Sequence, residues 1–390
     1  ETTRILREST RLRMISEVPL GAVLSGGVDS STVVALMAQE STAPVKTFSI
    51  GFEEQDFSEL KYARKVAKHV GAEYNEFIVR PNALEVLPTL VEHYGEPYAD
   101  SSAIPTYYVS KETRNYVTVA LNGDGGDESF AGYERYVAME LAEIYRRLPA
   151  TLRKAFIEGP INLLPTSELR KTRIRDVQRF FTSANEDERT RYFRWMSTFK
   201  PAIKPDLYDP AFASALSQKT SAVLDEWFDR SEGLSILDRT LLTDQMTYLP
   251  NDLLVKVDIA SMANSLEARS PFLDHHLIEF AATLPENLKV RGITPKYLLK
   301  KVAARLVPKE VVYRRKMGFG VPVGHWLRGE MKDFLRDVLL SPSSLSRGIV
   351  RPEKLRQYVD EHIGKKFDHS FQVWTLLMLE LWFQRFIDKQ

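Results

Sequence analysis

The chain has no cysteine among its 390 residues, and charge of one sign is also missing, since 53 basic residues balance 52 acidic ones. The missing cysteine excludes disulfides, zinc-thiolate sites and a cysteine nucleophile, and it is compatible with a reducing cytoplasm. The formal net charge of +1 provides no global field for nucleic acid or a membrane surface. No apolar run is long enough to span a bilayer. We therefore expect a cytoplasmic protein without nucleic-acid or membrane partners.

What the chain does have is a globular composition, with 44% hydrophobic residues, enough for a large core. Strand and helix patterns alternate over the first 145 residues at the spacing of a parallel sheet with crossover helices. From residue 146 to residue 390 helical patterns dominate. The sequence therefore predicts an α/β fold, with a doubly wound, mostly parallel sheet and a large, mainly helical C-terminal half.

The predicted strands are Gly21–Leu24, Val45–Ile50, Glu73–Val79 and Val117–Leu121. The predicted helices of the first part are Thr3–Ile15, Ser30–Gln39, Glu59–Val70, Ala83–His93, Ile104–Arg114 and Asp127–Glu143. Ligands of such sheets bind at the carboxyl ends of the strands. Two turns rich in glycine and aspartate follow strands here, "SGGVDSS" after the first and "NGDGGDE" after the fourth. These turns are the candidate binding site.

The first turn has the composition of a phosphate cradle. Small residues at Ser25, Gly26 and Gly27 let backbone N–H groups approach an oxyanion, and the helix that follows points its positive end at the same place. Ser30 and Ser31 add hydroxyl donors. The alternative is an ordinary strand-to-helix turn capped by serine and aspartate. The pattern matches neither a Walker loop, nor a dinucleotide fingerprint, nor the nucleophile elbow of serine hydrolases.

Asp29 is out of place beside phosphate, because its carboxylate would repel phosphate oxygens. A bridging Mg²⁺ removes the conflict, since magnesium is bound by one or two carboxylates together with phosphate oxygens and water. Asp127, in the second turn, could supply the second carboxylate. The alternative for Asp127 is a helix N-cap, and the two roles are compatible.

Four stretches of the chain resemble segments of known protein families. "SGGVDSS" is similar to the pyrophosphate loop (PP-loop) of the N-type ATP pyrophosphatases, which have an adenine nucleotide alpha hydrolase-like fold. "ALNGDGGDESFAGYERY", "YLPNDLLVKVDIASMANSLEARSPFLDH" and "YRRKMGFGVPVGHWLRG" resemble, in that order, segments of glutamine-dependent asparagine synthetases of the AsnB type. The similarity covers almost the whole chain, which is thus identified as their C-terminal synthetase domain. The resemblance implies a preceding glutaminase domain with an N-terminal cysteine, and we expect that domain to be absent from this chain.

The resemblance also implies roles for individual residues. Asp29 and Asp127 match the magnesium-binding aspartates, while Lys316 and Asp124 match the catalytic positions, a lysine beside the α-phosphate and the base for ammonia. The implied ATP and pyrophosphate contacts are Leu24, Ser25, Gly26, Gly27, Val28, Asp29, Ser30, Ser31, Ile50, Gly51, Asn122 and Gly123. For Ile50 and Gly51 the alternative is simple core, and for Lys316 a solvated basic run.

Three departures from the family pattern leave the acceptor acid open. Asp124 replaces the glutamate that is usual at that position and is one methylene shorter. Ile259 stands where a basic residue is frequent, and "ADSSAIP" at 99–105 lacks an arginine linked to aspartate binding in the family. Charged residues in the stretch around Ile259, namely Asp258, Glu267, Arg269 and Asp274, are expected to form ion pairs.

The resemblance implies an enzyme that uses ATP and Mg²⁺ to adenylate a carboxylate, and aspartate is the first candidate for that acid. Ammonia then displaces AMP to give an amide. Ammonia would come from glutamine through the glutaminase domain. One alternative is a related amidotransferase or cyclase acting on another acid. A second alternative, from a different class, is a nucleotide-binding regulatory module without turnover. A homodimer is left open by the sequence.

Overall fold

A computed structural model describes residues 1–52, 59–79, 82–153, 180–314 and 320–388. Five strands form one sheet, namely β1 (Leu20–Val23), β2 (Lys46–Phe52), β3 (Glu73–Val79), β4 (Val119–Leu121) and β5 (Glu267–Arg269). Their order is β3-β2-β1-β4-β5, and every pair of neighbours is parallel. The predicted parallel α/β fold is thus confirmed.

The central strand β1 explains why these residues form a covered sheet. Ala22 is fully buried, and Gly21 pairs with Lys46 on one side and with Ala120 on the other. Parallel strands of this kind are covered on both faces by their crossover helices and consist of small and apolar residues. Because β1 connects to β2 on one side and pairs with β4 on the other, the strand order reverses at β1. A ligand crevice is expected at the carboxyl ends of β1 and β4.

The helices of the first part lie around this sheet. They are α1 (Thr2–Arg13), α2 (Val28–Glu40), α3 (Leu60–Val70), α4 (Ala83–Tyr94), α5 (Ala103–Arg114), α6 (Gly126–Phe130), α7 (Glu134–Arg146) and α8 (Ala150–Arg153). The helix α2 is deeply embedded, with Val33, Val34 and Leu36 buried in one core cluster together with Leu121 and Phe272. This packing fixes the direction in which the start of α2 points.

The later part of the chain is mainly helical, as predicted. Its α-helices are α9 (Glu188–Met196), α10 (Lys204–Leu207), α11 (Pro210–Ala215), α12 (Ala222–Arg230), α13 (Ile236–Met246), α14 (Leu254–Met262), α15 (His275–Ala282), α16 (Glu286–Lys289), α17 (Tyr297–Ala303), α18 (Lys309–Val312), α19 (Val323–Arg328), α20 (Lys332–Leu339), α21 (Pro342–Leu345), α22 (Pro352–Ile363) and α23 (Ser370–Phe386). Short 3-10 turns occur at Pro201–Ile203 and Pro271–Leu273, and a π-helical turn at Leu249–Leu253. None of the helices in the described ranges is long and apolar enough to cross a membrane.

Two expectations about elements need correction. The single helix predicted over Asp127–Glu143 is wrong, because the chain forms α6 and α7 instead. The break lies at Ala131, whose φ of 57° is left-handed, and a Cβ on Gly132 would come within 1.8 Å of an Asp127 carboxylate oxygen. The strand β5 was missed, since its three residues lie within a region of helical pattern. Other boundaries of the predicted strands and helices in the first part differ by two residues or fewer.

Candidate active site

The first turn connects β1 to α2 and has the conformation of a backbone cradle. Leu24 extends the sheet by donating its N–H to the Phe48 carbonyl, 2.8 Å away. Gly26 then adopts a φ of 71°, and a Cβ at this position would lie 2.6 Å from the Ala63 backbone nitrogen. Only glycine combines this φ with such close packing at low cost. The helix α2 begins at Val28, so its free N–H groups face the turn.

The serines hold the turn in shape. Ser25 donates its backbone N–H to Ser30 Oγ at 3.3 Å, and the two hydroxyl oxygens lie 3.0 Å apart. The Gly27 N–H points back to Ser25 Oγ at 3.2 Å. Ser31 Oγ is buried and has no hydrogen-bond partner among the residues that the structure describes. The loop is therefore organised before any anion arrives, which is the condition for effective electrostatic binding.

Asp29 and Asp127 converge on one cation, the ammonium group of Lys296. Lys296 Nζ lies 2.5 Å from Asp29 Oδ1 and 2.8 Å from Asp127 Oδ1. The lysine is buried, and although burial lowers its pKa, the two carboxylates raise it well above the ordinary value. Magnesium binding by these two aspartates stays a prediction, and the geometry brings both carboxylates to one ammonium group. Lys296 itself was missed, because a lysine in "TPKYLLKK" carries no signal of long-range pairing.

The helix-cap alternative for the two aspartates is wrong. Gly27 is the N-cap of α2 and Gly125 is the N-cap of α6, so each aspartate lies inside the first turn of its helix. Carboxylates in the first turn of a helix interact favourably with its positive N-terminal end. Their side chains serve the shared cation position instead of closing a helix end.

The second turn lies directly on the first. A Cβ at Gly123 would be 2.7 Å from the Ser30 nitrogen, so the two turns touch through backbone atoms. Asn122 donates its N–H to the Arg269 carbonyl at 2.9 Å, and its Oδ1 accepts the Asp124 N–H at 3.3 Å. The short strand β5, which carries Arg269, therefore shapes the turn that holds the candidate base.

Asp124 has the protonation behaviour of a candidate base. Burial raises the pKa of its carboxyl group to about 6, Lys256 opposes this rise, and the charges of Asp29 and Asp127 add to it. A carboxyl group with a pKa near the working pH can accept a proton during catalysis. Lys256, on α14, pairs with Asp100 at 3.0 Å and is a second buried lysine that sequence reasoning did not single out.

Two predicted assignments are not settled by the geometry. Ile50 and Gly51 lie near the carboxyl end of β2, paired with Phe77 and Ile78 of β3, and their contact with adenine stays a prediction. Lys316 lies outside the described residues. Arg314, shortly before it, donates two hydrogen bonds to the Gly26 carbonyl, at 3.0 and 3.2 Å.

The ion pairs expected in the stretch 258–274 are present for three of the four residues. Asp274 accepts from Arg13 at 2.8 Å, and Arg269 pairs with Glu267 at 2.6 Å. Asp258 is exposed on α14. Glu267, Arg269 and Asp274 therefore form ion pairs in or next to β5.

Almost the whole chain matches one protein-family model. Residues 1–384 match the model described as asparagine synthase. The chain belongs to the asparagine synthase family. The resemblance inferred from the four motifs is thus confirmed, and it extends over the described sheet as well as the later helices.

Known relatives carry related names. Asparagine synthetase [glutamine-hydrolyzing] 1 of Bacillus subtilis is 34% identical over 394 residues, an alignment that covers 100% of this chain and 60% of the relative. Asparagine synthetase [glutamine-hydrolyzing] 3 of the same organism is 23% identical, with 80% of this chain and 46% of the relative covered. Amidase chyE of Penicillium rubens is 23% identical, with 93% and 58% covered. The chain thus spans about 60% or less of the length of these relatives.

Proposed function

We propose that the chain is the synthetase part of an ATP-dependent ligase, which adenylates a carboxylic acid and passes the acyl group to ammonia. The observation that carries this proposal is the contact between two turns. One is a preformed anion cradle at the start of α2, and the other brings Asp124 and Asp127 to the same edge of the sheet. Family membership gives the reaction class, and aspartate is the first candidate for the acid.

In the first step, one oxygen of the acceptor carboxylate attacks the α-phosphorus of ATP, and the bond to the bridging oxygen of pyrophosphate breaks. The backbone of Ser25–Ser31 and the N-terminus of α2 hold the leaving pyrophosphate. Lys316 would stabilise the charge on the α-phosphate, as the resemblance implies. The product of this step is an acyl-adenylate.

In the second step, ammonia attacks the acyl carbon, and AMP leaves with the oxygen that came from the acid. Attacking ammonia must lose a proton to form a neutral amide. Asp124, whose carboxyl group has a pKa raised to about 6, accepts that proton directly or through water. A glutaminase domain of a longer protein would supply the ammonia.

Magnesium fits the residues present. Asp29 and Asp127 offer hard oxygen donors that already converge on one cation position, with Lys296 Nζ 2.5 and 2.8 Å from them. No group of three or more metal-ligating side chains occurs in the described ranges. Magnesium is usually bound by one or two carboxylates together with phosphate oxygens and water. Bound there, Mg²⁺ would neutralise phosphate charge, and Asp29 and Asp127 would hold it.

A second candidate function keeps the adenylation and changes the acceptor acid. The departures at Asp124, Ile259 and "ADSSAIP" favour it, as does similarity to a protein named as an amidase. A third, a regulatory nucleotide-binding module, predicts binding without turnover.

Acid-dependent exchange between pyrophosphate and ATP separates these functions. The purified chain is incubated with Mg-ATP, labelled pyrophosphate and one acid at a time from a panel of amino acids and other carboxylates. We expect exchange with aspartate, and amide on addition of an ammonium salt. Exchange with a different acid alone would identify an amidotransferase or cyclase. No exchange with any acid, in a chain that still binds ATP, would support the regulatory module.

A further inference from the structure

Arg314 contacts the first turn of the candidate site from a position 288 residues further along the chain. Its side chain is 9% exposed, and its Nε and Nη2 atoms donate to the Gly26 carbonyl at 3.2 and 3.0 Å. The same guanidinium group forms an ion pair with Glu59 and lies 4.6 Å from the centre of the Tyr62 ring. Arg314 therefore connects the first turn to the residues at which α3 begins.

The helix α18, which ends shortly before Arg314, is itself packed against α3. Val311 on α18 is fully buried and belongs to the same core cluster as Val66 on α3. Glu310 adds an exposed ion pair with Lys65, also on α3, at 2.8 Å. Because α18 and α3 are held together in this way, the guanidinium group has a defined position relative to the first turn.

The hydrogen bonds from Arg314 act on a peptide unit with glycine on both sides, the one between Gly26 and Gly27. Such a unit can turn over by rotation about two backbone bonds, and glycine tolerates most values of both dihedral angles. Because a trans peptide is planar, its C=O and N–H point in opposite directions, and turning over exchanges their places. Arg314 holds the carbonyl oxygen, while Ser25 Oγ accepts the Gly27 N–H at 3.2 Å. The unit is thus held at both ends.

The orientation of this unit decides what the first turn presents to an anion. Backbone N–H groups attract an oxyanion, whereas a carbonyl oxygen in the same place would repel it. The charge of Arg314 is largely balanced by Glu59, with which it pairs. The main effect of the arginine on the turn is therefore the direction that it gives to the peptide unit.

We propose that Arg314, fixed by Glu59, is a positioning residue that holds the Gly26–Gly27 peptide unit in the orientation in which the first turn binds pyrophosphate. This inference rests on the proposed function for the identity of the anion. Without the guanidinium group the unit populates both orientations, and only one of them binds. The apparent affinity then falls in proportion to the fraction of chains in the binding-competent orientation.

The first test measures the binding of Mg-pyrophosphate by calorimetry in Arg314→Met, Arg314→Lys and a matched control, Arg347→Met. Arg347 has similar surroundings, since it is 17% exposed, pairs with Glu380 at 3.0 Å and lies 4.7 Å from the centre of the Phe383 ring. In Arg314→Met we expect the dissociation constant to rise by about tenfold, the typical loss for one hydrogen bond to a charged group. Arg314→Lys should resemble it, because an ammonium group lacks the fork of N–H donors. Arg347→Met should bind as the wild type does.

Glu59→Gln separates the position of Arg314 from its charge. If the arginine acted through its charge alone, removal of the Glu59 carboxylate would leave the turn more positive and tighten the binding of Mg-pyrophosphate. We expect weaker binding instead, because the guanidinium group loses its anchor. AMP, which lacks the two phosphates that leave, should bind all variants equally. Unchanged or tighter pyrophosphate binding in Glu59→Gln, wild-type binding in Arg314→Lys, or a parallel loss of AMP binding would each overturn the inference.

A further measurement needs no ligand. Hydrogen exchange of the Gly27 amide is followed by NMR in protein labelled with 15N-glycine, with Gly27→Ala to assign the signal. The amide should exchange about tenfold faster in Arg314→Met, by the same loss of one hydrogen bond, and at the wild-type rate in Arg347→Met. An unchanged rate in Arg314→Met would contradict the inference. Absence of pyrophosphate binding in the wild type would refute the proposed function, whereas the Gly27 amide would still decide whether Arg314 holds the peptide unit.

Discussion

Lys296 is the residue on which the two candidate magnesium ligands depend. Its buried ammonium group neutralises Asp29 and Asp127, which would otherwise repel each other across the contact between the two turns. Removing one partner of a buried ion pair costs about 3–5 kcal/mol, because the remaining charge is left uncompensated. When the lysine is absent, the same two carboxylates should therefore bind another cation more tightly.

The first prediction concerns Lys296→Met. Its free energy of unfolding should fall by about 3–5 kcal/mol, and Mg²⁺ should restore more stability in the variant than in the wild type, because a ligand that binds only the folded state stabilises it. Urea denaturation with and without Mg²⁺ measures both effects. Lys289→Met is the control, because it also removes a buried lysine from an ion pair, in this case the 2.7 Å pair with Asp238. An equal response of the variant and the wild type to Mg²⁺ would contradict a shared metal position.

The second prediction concerns Asp29→Asn. Pyrophosphate exchange should fall by about 10²-fold or more, since a preorganised charged group at the phosphates is lost. The melting temperature should fall less than in Lys296→Met, because Asp127 still pairs with Lys296 and because Gly27, and not Asp29, is the N-cap of α2. The matched control is Asp274→Asn, which alters an aspartate that does cap a helix and pairs with Arg13. Exchange preserved in Asp29→Asn would remove Asp29 from the metal site.

The third prediction is a pH dependence set by Asp124. Burial raises the pKa of this carboxyl group to about 6, so its proton-accepting form is scarce below that pH and dominant above it. The rate of amide formation from the adenylate should therefore rise with pH through about 6 and then level off. Pre-steady-state rates between pH 5 and 8 at a fixed concentration of free ammonia give the profile. A profile that is the same in Asp124→Asn would assign the base to another group.

At the scale of elements, a buried aspartate ties three helices together behind the site. Asp244 on α13 is fully buried and accepts hydrogen bonds from Tyr136 on α7 and Tyr192 on α9. Arg135, also on α7, pairs with it at 2.6 Å. Its guanidinium group lies 3.8 Å from the centre of the Tyr133 ring, and Tyr133 donates to Glu128 beside Asp127. The network thus connects the outer helices to α6.

The fourth prediction concerns Asp244→Ala. It should lower the free energy of unfolding by about 3–5 kcal/mol, since Arg135 would remain largely buried without its carboxylate. Glu226→Ala is the control, because Glu226 forms an exposed i,i+4 pair with Arg230 on α12. Surface pairs of this kind contribute about 0.3–0.5 kcal/mol. Chemical denaturation measures the free energy of unfolding of both variants. A similarly small loss of stability in each would show that the network is not structurally important.

Sequence reasoning predicted elements well where the local pattern matches the final structure. The strands β1 to β4 and the helices α1 to α5 have clear apolar periods, and each was found within two residues of its observed bounds. The strand β5 could not be found this way, because three residues pair with β4 only through the tertiary fold. The division of α6 from α7 depends on the left-handed Ala131, a conformation that alanine sequences rarely signal.

At the scale of the whole molecule, the candidate site was also predicted only in part from the sequence. The glycine and aspartate turns were found from sequence, because the sheet topology brings the ends of β1 and β4 together. Lys296 and Arg314, which contact these turns, were not found. Each lies far along the chain from the turns and is recognisable only from its partners, Asp29 and Asp127 for Lys296 and the Gly26 carbonyl for Arg314. Ion pairs between residues so far apart in the chain produce no recognisable spacing pattern in the sequence.

The transfer of an oxygen atom tests the central claim most directly. In the proposed reaction the acceptor carboxylate bonds to the α-phosphorus, and one of its oxygens leaves with AMP. The chain is therefore incubated with Mg-ATP, an ammonium salt and aspartate labelled with 18O at both oxygens of its side-chain carboxylate. The products are then separated, and their masses are measured by mass spectrometry. We predict one 18O atom in AMP, one in the amide and none in pyrophosphate. Unlabelled AMP formed together with the amide, or label in inorganic phosphate with ADP as the nucleotide product, would contradict adenylation of the acid.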